Sequence, residues 1–298
     1  MTLIEKDMTF FFTSNGANHQ DKDGSRFEIT LNTPIDIPRN AIDVSVQVTS
    51  ANIWFTQPNI DEKYKNNELV FFDDFTKEFV SIILPKGLYG VDELNERIEH
   101  ELHYNSKLIG LVGDGCIKLS SDSATQKIRV HCPPRVLLYT NKTAYPNNIA
   151  EMLGFTSYEG DHHGEEYLQS VNAKRTKDGS FIFEGSDVAK LNAINSFLLH
   201  GDLVKRGIQV NDTQANVMAE IQIDTTIGHL IHYKPYHPFK LDGTHLTLDK
   251  INRLQFWLTN EKNQPVDMNG EDYSFSVLIT YNINIDHIMT QGRLPQVT

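Results

Sequence analysis

The chain is poor in the features that mark several large classes of protein. Only two of its 298 residues are cysteine, Cys116 and Cys132, too few for a disulfide framework, and we interpret them as buried thiols. No apolar run approaches the roughly 18 residues that a membrane-spanning helix needs. The first residues lack the basic region and the small-residue cleavage site of a signal peptide. We therefore expect a soluble protein of a reducing compartment.

Positive charge is also scarce. The chain has 27 Lys and Arg residues against 39 Asp and Glu, a formal net charge of −12. A field of this sign repels phosphate backbones and anionic lipid heads, so nucleic acid is not an expected partner. With 39% hydrophobic and 10% aromatic residues, the composition is otherwise that of a globular protein. The length suits one large all-β unit or two smaller domains.

The sequence lacks the short motifs of common catalytic sites, such as Gly-x-Ser-x-Gly, His-Glu-x-x-His or a Walker loop. His229 and His232 are three residues apart, so on a strand they point to opposite faces, unlike the paired histidines of a cupin. We interpret these two and His237 as surface or hydrogen-bonded residues, and His162 and His163 as part of a solvated loop. The sequence predicts no catalytic, cofactor-binding or metal-ligating residue, hence no enzyme and no cofactor.

What the sequence does contain is a strong period of two. Residues 27–31, 42–48 and 275–285 alternate apolar and polar side chains, as strands with one buried face do. Turn sequences such as Asn269-Gly270 separate the strands. The pattern predicts an all-β sandwich or jelly roll. Shorter candidate strands are residues 69–72, 79–84, 126–130, 196–199, 218–223, 229–233 and 254–258.

Two segments in the middle of the chain predict helices instead. Residues 91–102 carry one apolar stripe at helical spacing, and Asp92 is the expected N-cap. A second, shorter helix is predicted at 149–153, with Asn147 or Asn148 as its N-cap and a stop at Gly154. The stripe of the first helix consists of Val91, Leu94, Ile98 and Leu102.

The helical segments interrupt an otherwise all-strand chain. We therefore expect residues 86–187 to be an insertion with helices, and residues 1–85 and 188–298 to be two halves of one jelly-roll domain. Within the insertion, residues 158–177 are polar and show neither the strand period of two nor the helical period of 3.6, which predicts an exposed loop.

Two aromatic groups allow more than one interpretation. The triplet at residues 10–12 must be covered by the protein's own sheet or by a neighbour. A second group either lines a sugar-binding face or is buried in the core or a subunit interface, and the second interpretation is favoured because large rings bury the most area. That group is Trp54, Phe55, Phe71, Phe72 and Phe75.

Several longer motifs occur in a particular order. The resemblance they carry is to the minor capsid, or penton, proteins of virophages and Polinton (Maverick) elements, and it covers residues 79–281. Asn260 departs from the family pattern, which commonly has an acid there, so a possible charge contact is removed. The motifs are IILPKGLYGVDELNERI (82–98), AEMLGF (150–155), INSFLLHGDLV (194–204), VNDTQANVMAEIQI (210–223), HYKPYHPFKL (232–241) and INRLQFWLTNEKNQPVDMNGEDYSFSVLITY (251–281).

The resemblance implies a fold and a role. The fold is a single jelly-roll β-sandwich with a mixed α/β insertion in the middle third. The role is structural, as a homopentamer at the fivefold vertices of an icosahedral capsid, seated among trimeric double-jelly-roll capsomers of the major capsid protein. The expected location is then the capsid vertex of a virion made in a host cell. A carbohydrate-binding β-sandwich or receptor-contact module is the alternative.

Overall fold

The computed structural model describes residues 3–113, 115–162, 164–191, 194–210 and 213–284. The chain forms two compact units. One consists of Met1–Gln57 together with Ile194–Thr298, and the other is Pro58–Ala193. The second unit is therefore an insertion into the first along the sequence.

The regular elements of the described residues are numbered in chain order. The helices are α1 (Val91–Tyr104), α2 (Ser106–Val112) and α3 (Glu165–Ser170), with short 3₁₀ turns at Glu62–Tyr64 and Thr244–Thr247. The strands are β1 (Leu3–Thr13), β2 (His19–Gln20), β3 (Arg26–Ile35), β4 (Ala41–Trp54), β5 (Glu68–Asp73), β6 (Phe79–Ile83), β7 (Lys118–Ser121), β8 (Ile128–Cys132), β9 (Val136–Leu138), β10 (Lys174–Arg175), β11 (Phe181–Glu184), β12 (Ser196–Gly201), β13 (Ile208–Val210), β14 (Thr213–Gln222), β15 (Leu230–Tyr233), β16 (Leu241–Asp242), β17 (Ile251–Asn260) and β18 (Ser274–Asn284).

The first unit consists of two antiparallel sheets. One has the order β1-β18-β4-β15, with β16 also paired to β4, and the other has the order β13-β14-β12-β17-β3-β2. Successive long strands alternate between the sheets, except at the β12–β14 pair, and the first strand pairs with the last. This is the strand order of a jelly roll. The predicted fold class, an all-β jelly roll with a mixed α/β insertion, is confirmed, and the insertion lies between β4 and β12.

Aromatic rings from both sheets form the core of this jelly-roll unit. The ring of Phe256 on β17 lies 4.7 Å from that of Phe12 on β1 and 4.9 Å from that of Phe275 on β18, between ring centroids. Phe27 on β3 lies 5.5 Å from Phe256. All four side chains are at most 2% exposed. Because rings of opposite sheets meet here, this cluster holds the two layers together.

The consecutive phenylalanines of β1 show how the strand period distributes them. Phe12 is 2% exposed and Phe10, stacked on it, is half-buried, whereas Phe11 points to the other face and is 65% exposed. The protein's own sheet therefore covers two members of the triplet and leaves Phe11 uncovered.

A histidine is buried in the second sheet. His200 on β12 is 2% exposed, its Nε2 lies 2.8 Å from the hydroxyl of Thr259, and its ring stacks on Trp257. Burial disfavours the charged imidazolium and lowers the pKa of His200 from 6.5 to about 4. The folded protein therefore holds this histidine neutral throughout the physiological range.

We expect this histidine to make stability depend on pH. Between pH 6.5 and about 4 the unfolded chain binds a proton at His200 that the folded chain refuses, so the free energy of unfolding falls as the pH falls, by up to about 3 kcal/mol. Urea unfolding at a series of pH values measures the slope. His200→Gln should flatten it, while exposed His19→Gln should not. Equal slopes for wild type and His200→Gln would contradict this assignment.

The inserted unit contains two further sheets and the helices. One sheet has the order β6-β5-β9 and the other β10-β11-β8-β7. The sequence analysis placed the first boundary after residue 85, but the unit begins at Pro58. The reason is long-range pairing, since β5 pairs with both β6 and β9. Its core is formed by residues of these strands and of the helices, among them Phe71, Leu94 and Tyr167.

The first predicted helix is confirmed as α1, with a different cap. Leu94 and Ile98 are fully buried, while Val91 and Leu102 pack at the margin of the core. The N-cap is Gly90 and not Asp92, which lies in the first turn. The carboxylate of Glu93 accepts a hydrogen bond of 2.9 Å from the Gly90 N–H, which is the half of a capping box that the N3 residue provides, while glycine has no side chain to provide the other half.

The second predicted helix is wrong, because residues 149–153 form a hydrogen-bonded turn. The side chain of Asn148 donates to the carbonyl of Tyr139 and accepts from the N–H of Ala150, which fixes it beside β9. Gly154 does end the turn, at φ +88°, and an added Cβ there would meet the Asp187 carbonyl. The apolar residues of the predicted helix therefore do pack in the core, but they do so from a turn and not from a helix.

The predicted exposed loop at 158–177 is only partly a loop. It contains α3 and β10, and Tyr167 on α3 is fully buried with its hydroxyl bonded to the Leu138 carbonyl. His162, 6% exposed, packs 3.9 Å from the ring of Tyr139. The polar composition of the segment conceals these few buried rings.

The two cysteines have different environments. Cys132 on β8 is buried, as predicted, but Cys116 is exposed, and both are free thiols. The prediction of two buried thiols is therefore wrong for Cys116. Residue 116 belongs to the connection between α2 and β7, where the chain runs outside the core.

The Asn269-Gly270 turn before β18 has the geometry that its sequence predicts. Gly270 has φ +83° and Asn269 has φ +53°. A β-branched residue is excluded from this region of backbone space, so Gly270→Val should lower the free energy of unfolding by roughly 1 kcal/mol or more. Chemical denaturation measures the change, with exposed Glu271→Val as the matched control. A stability equal to that of the control would contradict the turn.

Candidate assembly surfaces

The histidines of the sequence analysis are dispersed. His229, His232 and His237 are exposed, and the first two bond to Thr226 and to Asn52 respectively. His162 is 6% exposed, so its prediction as part of a solvated loop is wrong, and His163 lies outside the described residues. Within the described ranges, no group of three or more His, Cys, Asp or Glu side chains is arranged to hold a metal ion. The same part of the chain contains no helix long and apolar enough to cross a membrane.

The aromatic group proposed as a sugar-binding face is not one surface. Phe55, Phe71 and Phe72 are at most 6% exposed and belong to cores, as the favoured interpretation predicts. Trp54 is 38% exposed on the jelly-roll unit, and Phe75 is 75% exposed on the inserted unit. The five rings are therefore not a shared stacking platform.

Phe75 instead caps the tip of the β5–β6 hairpin. The guanidinium of Arg135 lies 4.8 Å from its ring. The carboxylate of Asp73 accepts hydrogen bonds from Arg135, from the Thr76 hydroxyl and from the Phe75 N–H. Burial alone would raise the pKa of Asp73, but these donors outweigh it and the pKa is lowered. The tip therefore exposes an aromatic ring beside two ion pairs, Arg135 with Asp73 and Lys77 with Asp74.

The jelly-roll unit has two chemically different edges on one sheet. Strand β1 forms the first edge, since it pairs with β18 and is the end of the sheet order. Phe11, Glu5 and Asp7 are all exposed and alternate with the residues that face the core. Among the residues that the structure describes, this edge is therefore an eleven-residue strand that no other strand pairs with on one side, and it carries an exposed ring and two carboxylates.

The second edge is formed by β15 and β16, which pair with β4 on the side away from β18. Residues 234–240 (KPYHPFK), hereafter the basic loop, connect these two strands. In this loop Tyr236 is 91% exposed and Phe239 is 62% exposed, and both lysines are exposed. Sequence reasoning did not single this loop out, although the signal was present: residues 225–241 contain no acid in a chain of net charge −12.

A cavity of about 630 Å³ crosses the outer face of this sheet from one edge to the other. Glu5 lines it at the β1 edge and Lys240 at the opposite edge. Between them lies Asp43, at φ +55° where the pairing of β4 with β18 shifts register, and Asn282 donates to its carboxylate. Asp242 also lines the cavity, and hydrogen bonds from Thr244 lower its pKa. Asp242 and Lys240 both lie at the β15–β16 edge, so the excess negative charge of the cavity is that of Glu5 and Asp43, toward β1.

The comparisons with known proteins give similarities of structure. No family model and no curated protein matches the chain. The fold is similar to the crystal structure of the SeMet-labelled mavirus penton protein, with a TM-score of 0.45 and 10% sequence identity over 94% of this chain and 100% of that one. It is also similar to a chain in the 3.5 Å cryo-EM structure of the Sputnik virophage, with a TM-score of 0.40 and 13% identity over 93% of this chain and 97% of that one. The sequence motifs thus resemble those of virophage penton proteins, and the two similar structures are of a penton protein and of a chain in a virophage particle.

Proposed function

We propose that this protein is a structural subunit of an icosahedral capsid, without catalysis. It forms homopentamers at the fivefold vertices, among trimeric double-jelly-roll capsomers of the major capsid protein. The observation that carries the proposal is the jelly-roll strand order of the first unit, an architecture of viral capsid proteins, lectins and cupins. Two features of the chain argue against the other two uses of the fold.

The first feature concerns cupins, whose metal site needs paired inward-facing histidines. His229 and His232 are both exposed and three residues apart. The second concerns lectins that stack sugars on aromatic faces. Three of the five candidate rings are buried in cores, and the other two, Trp54 and Phe75, belong to different units. A structural role in a capsid therefore fits the jelly roll better than either.

The motifs of the sequence resemblance occupy corresponding elements. LPKGLYG (residues 84–90) joins β6 to α1, the amphipathic helix that the pattern expects. AEMLGF (150–155) contains the turn ended by Gly154. The segment at 194–204 contains β12, and the one at 251–281 contains β17 and most of β18, which lie in different sheets and therefore do not form the hairpin that the pattern predicts. Motif order and element order therefore agree, which supports the capsid proposal.

Asn260, the last residue of β17, stabilises the turn that follows this strand without the acid that the family pattern has. Its side-chain oxygen accepts hydrogen bonds of 2.9 Å from the N–H groups of Lys262 and Gln264. Its amide nitrogen lies 3.1 Å from the side-chain oxygen of Gln264. The residue acts within the turn, so its departure from the pattern does not weaken the proposal.

Solution mass tests the pentamer directly. Light scattering of the purified chain should give about 170 kDa, five times the chain mass of 34.0 kDa. Co-expression with the cognate double-jelly-roll protein should give particles that carry this chain at their vertices, which electron microscopy can locate. A monodisperse 34.0 kDa species that also fails to associate with that shell protein would refute the proposal.

A further inference from the structure

The two edges of the β1-β18-β4-β15 sheet differ in charge and shape in a way that suits contact between copies. We propose that the basic loop of one copy docks on the β1 edge of a second copy, with its lysines at the acidic side of the cavity. This inference rests on the proposed pentamer and names the surfaces that form it.

The basic loop has the composition of a docking element. Tyr236 and Phe239 expose most of their rings, and each directly follows a proline, which restricts the backbone there. Exposed Lys234 and Lys240 flank the rings. Large aromatic residues at the centre of an interface provide most of its binding free energy, because they bury large areas with little loss of conformational entropy. Such a loop is suited to a partner that offers apolar area and carboxylates.

The β1 edge offers both. Phe11 is 65% exposed on the outer face, and Glu5 and Asp7 lie on the same face of the strand. Asp43 on β4 adds a third carboxylate, which lines the same cavity as Glu5. Lys240 of the same copy lines the far end of the cavity, so the β1 side is where a neighbour's lysine meets uncompensated negative charge.

The position of the two surfaces supports a ring. They lie on opposite edges of one sheet, separated by three strand spacings, about 14 Å. A contact between opposite edges of identical subunits is head-to-tail, and repetition of such a contact closes a ring when the rotation permits. An isologous dimer would instead need one surface that is complementary to itself.

The net charge of the chain makes this local complementarity necessary. Copies with a charge of −12 each repel one another at long range. Residues 225–241 at the β15–β16 edge contain no acid and carry Lys234 and Lys240, so attraction between copies at this sheet depends on them. We expect added salt to weaken the contribution of the ion pairs to association. The contribution of the aromatic rings should persist in salt.

The test measures the oligomeric state of the full chain by mass photometry and light scattering over a dilution series. Tyr236→Ser with Phe239→Ser should raise the concentration for half-dissociation about 100-fold. Lys234→Glu should raise it about 10-fold at low salt, and Asp7→Lys should act alike. Combining Lys234→Glu with Asp7→Lys should restore association to within about 3-fold of wild type, which a merely damaged fold would not do.

Controls separate this inference from the proposed function. Tyr104→Ser and Lys22→Glu change exposed residues elsewhere and should leave the oligomer intact. Melting temperatures of all variants exclude unfolding as the cause. A wild-type pentamer that every loop and β1 variant leaves intact would overturn the docking surfaces alone. A wild-type chain that remains a monomer and does not join the shell would overturn the pentamer itself.

Discussion

Replacing Leu94 with aspartate should unfold the inserted unit or bring it close to unfolding. Leu94 is fully buried on α1, in a core shared with β5 and α3. The change removes the buried side chain, which costs about 2–5 kcal/mol, and places a carboxylate among apolar groups, which costs several more. We therefore expect a loss of at least about 4 kcal/mol, comparable to the whole stability of many domains.

Thermal unfolding combined with limited proteolysis measures this effect and assigns it to a unit. New cleavage sites should appear within Pro58–Ala193. Leu94→Ala should give a smaller loss of about 2–4 kcal/mol, and Glu96→Asp on the exposed face should give little change. A stability of Leu94→Asp near that of the wild type would mean that α1 does not pack as described.

Replacing Phe256 with alanine should destabilise the jelly-roll unit by about 3–5 kcal/mol. The ring of Phe256 touches rings from both sheets, at 4.7 Å from Phe12 and 5.5 Å from Phe27. Its removal leaves a cavity between layers whose strands are fixed by their own hydrogen bonds, so collapse into the space is limited.

Chemical denaturation followed by tryptophan fluorescence reports on this unit, because both tryptophans of the chain, Trp54 and Trp257, belong to it. Phe256→Leu should recover part of the loss, since it refills some of the volume. Leu248→Ala, at a residue that is 60% exposed, should change the free energy of unfolding by no more than about 0.5 kcal/mol. Equal effects of Phe256→Ala and Leu248→Ala would contradict the aromatic core.

Local patterns predicted the regular elements where one face is buried and the other is wet. The alternating segments at 42–48 and 275–285 lie in β4 and β18 respectively. Ile285, the last residue of the second segment, lies outside the described residues. The stripe through Leu94 and Ile98 became α1. In each case the side chains of residues close in sequence are enough to predict the element, because the period of a strand or helix decides which of them share a face.

Local patterns failed where distant residues decide the structure. Ile149 and Leu153 are spaced as in a helix, but Asn148 bonds to the carbonyl of Tyr139 and holds the segment in a turn. Tyr167 is buried by strands far along the chain. The start of the inserted unit at Pro58 follows from the pairing of β5 with β9, which no window of adjacent residues contains.

The candidate surfaces divide in the same way. The amino-acid sequence by itself determined their chemistry, since the acid-free basic loop and the acidic residues of β1 can be recognised in the printed letters. The sequence also determined the strand periods and the order of the motifs, because these depend on neighbouring residues. Only the tertiary structure decided that β1 and the basic loop occupy opposite edges of one sheet. The physical reason is that an edge is defined by which strands lack a partner, and the pairing of β1 with β18, residues 3–13 with 274–284, joins parts of the chain that lie more than 250 residues apart.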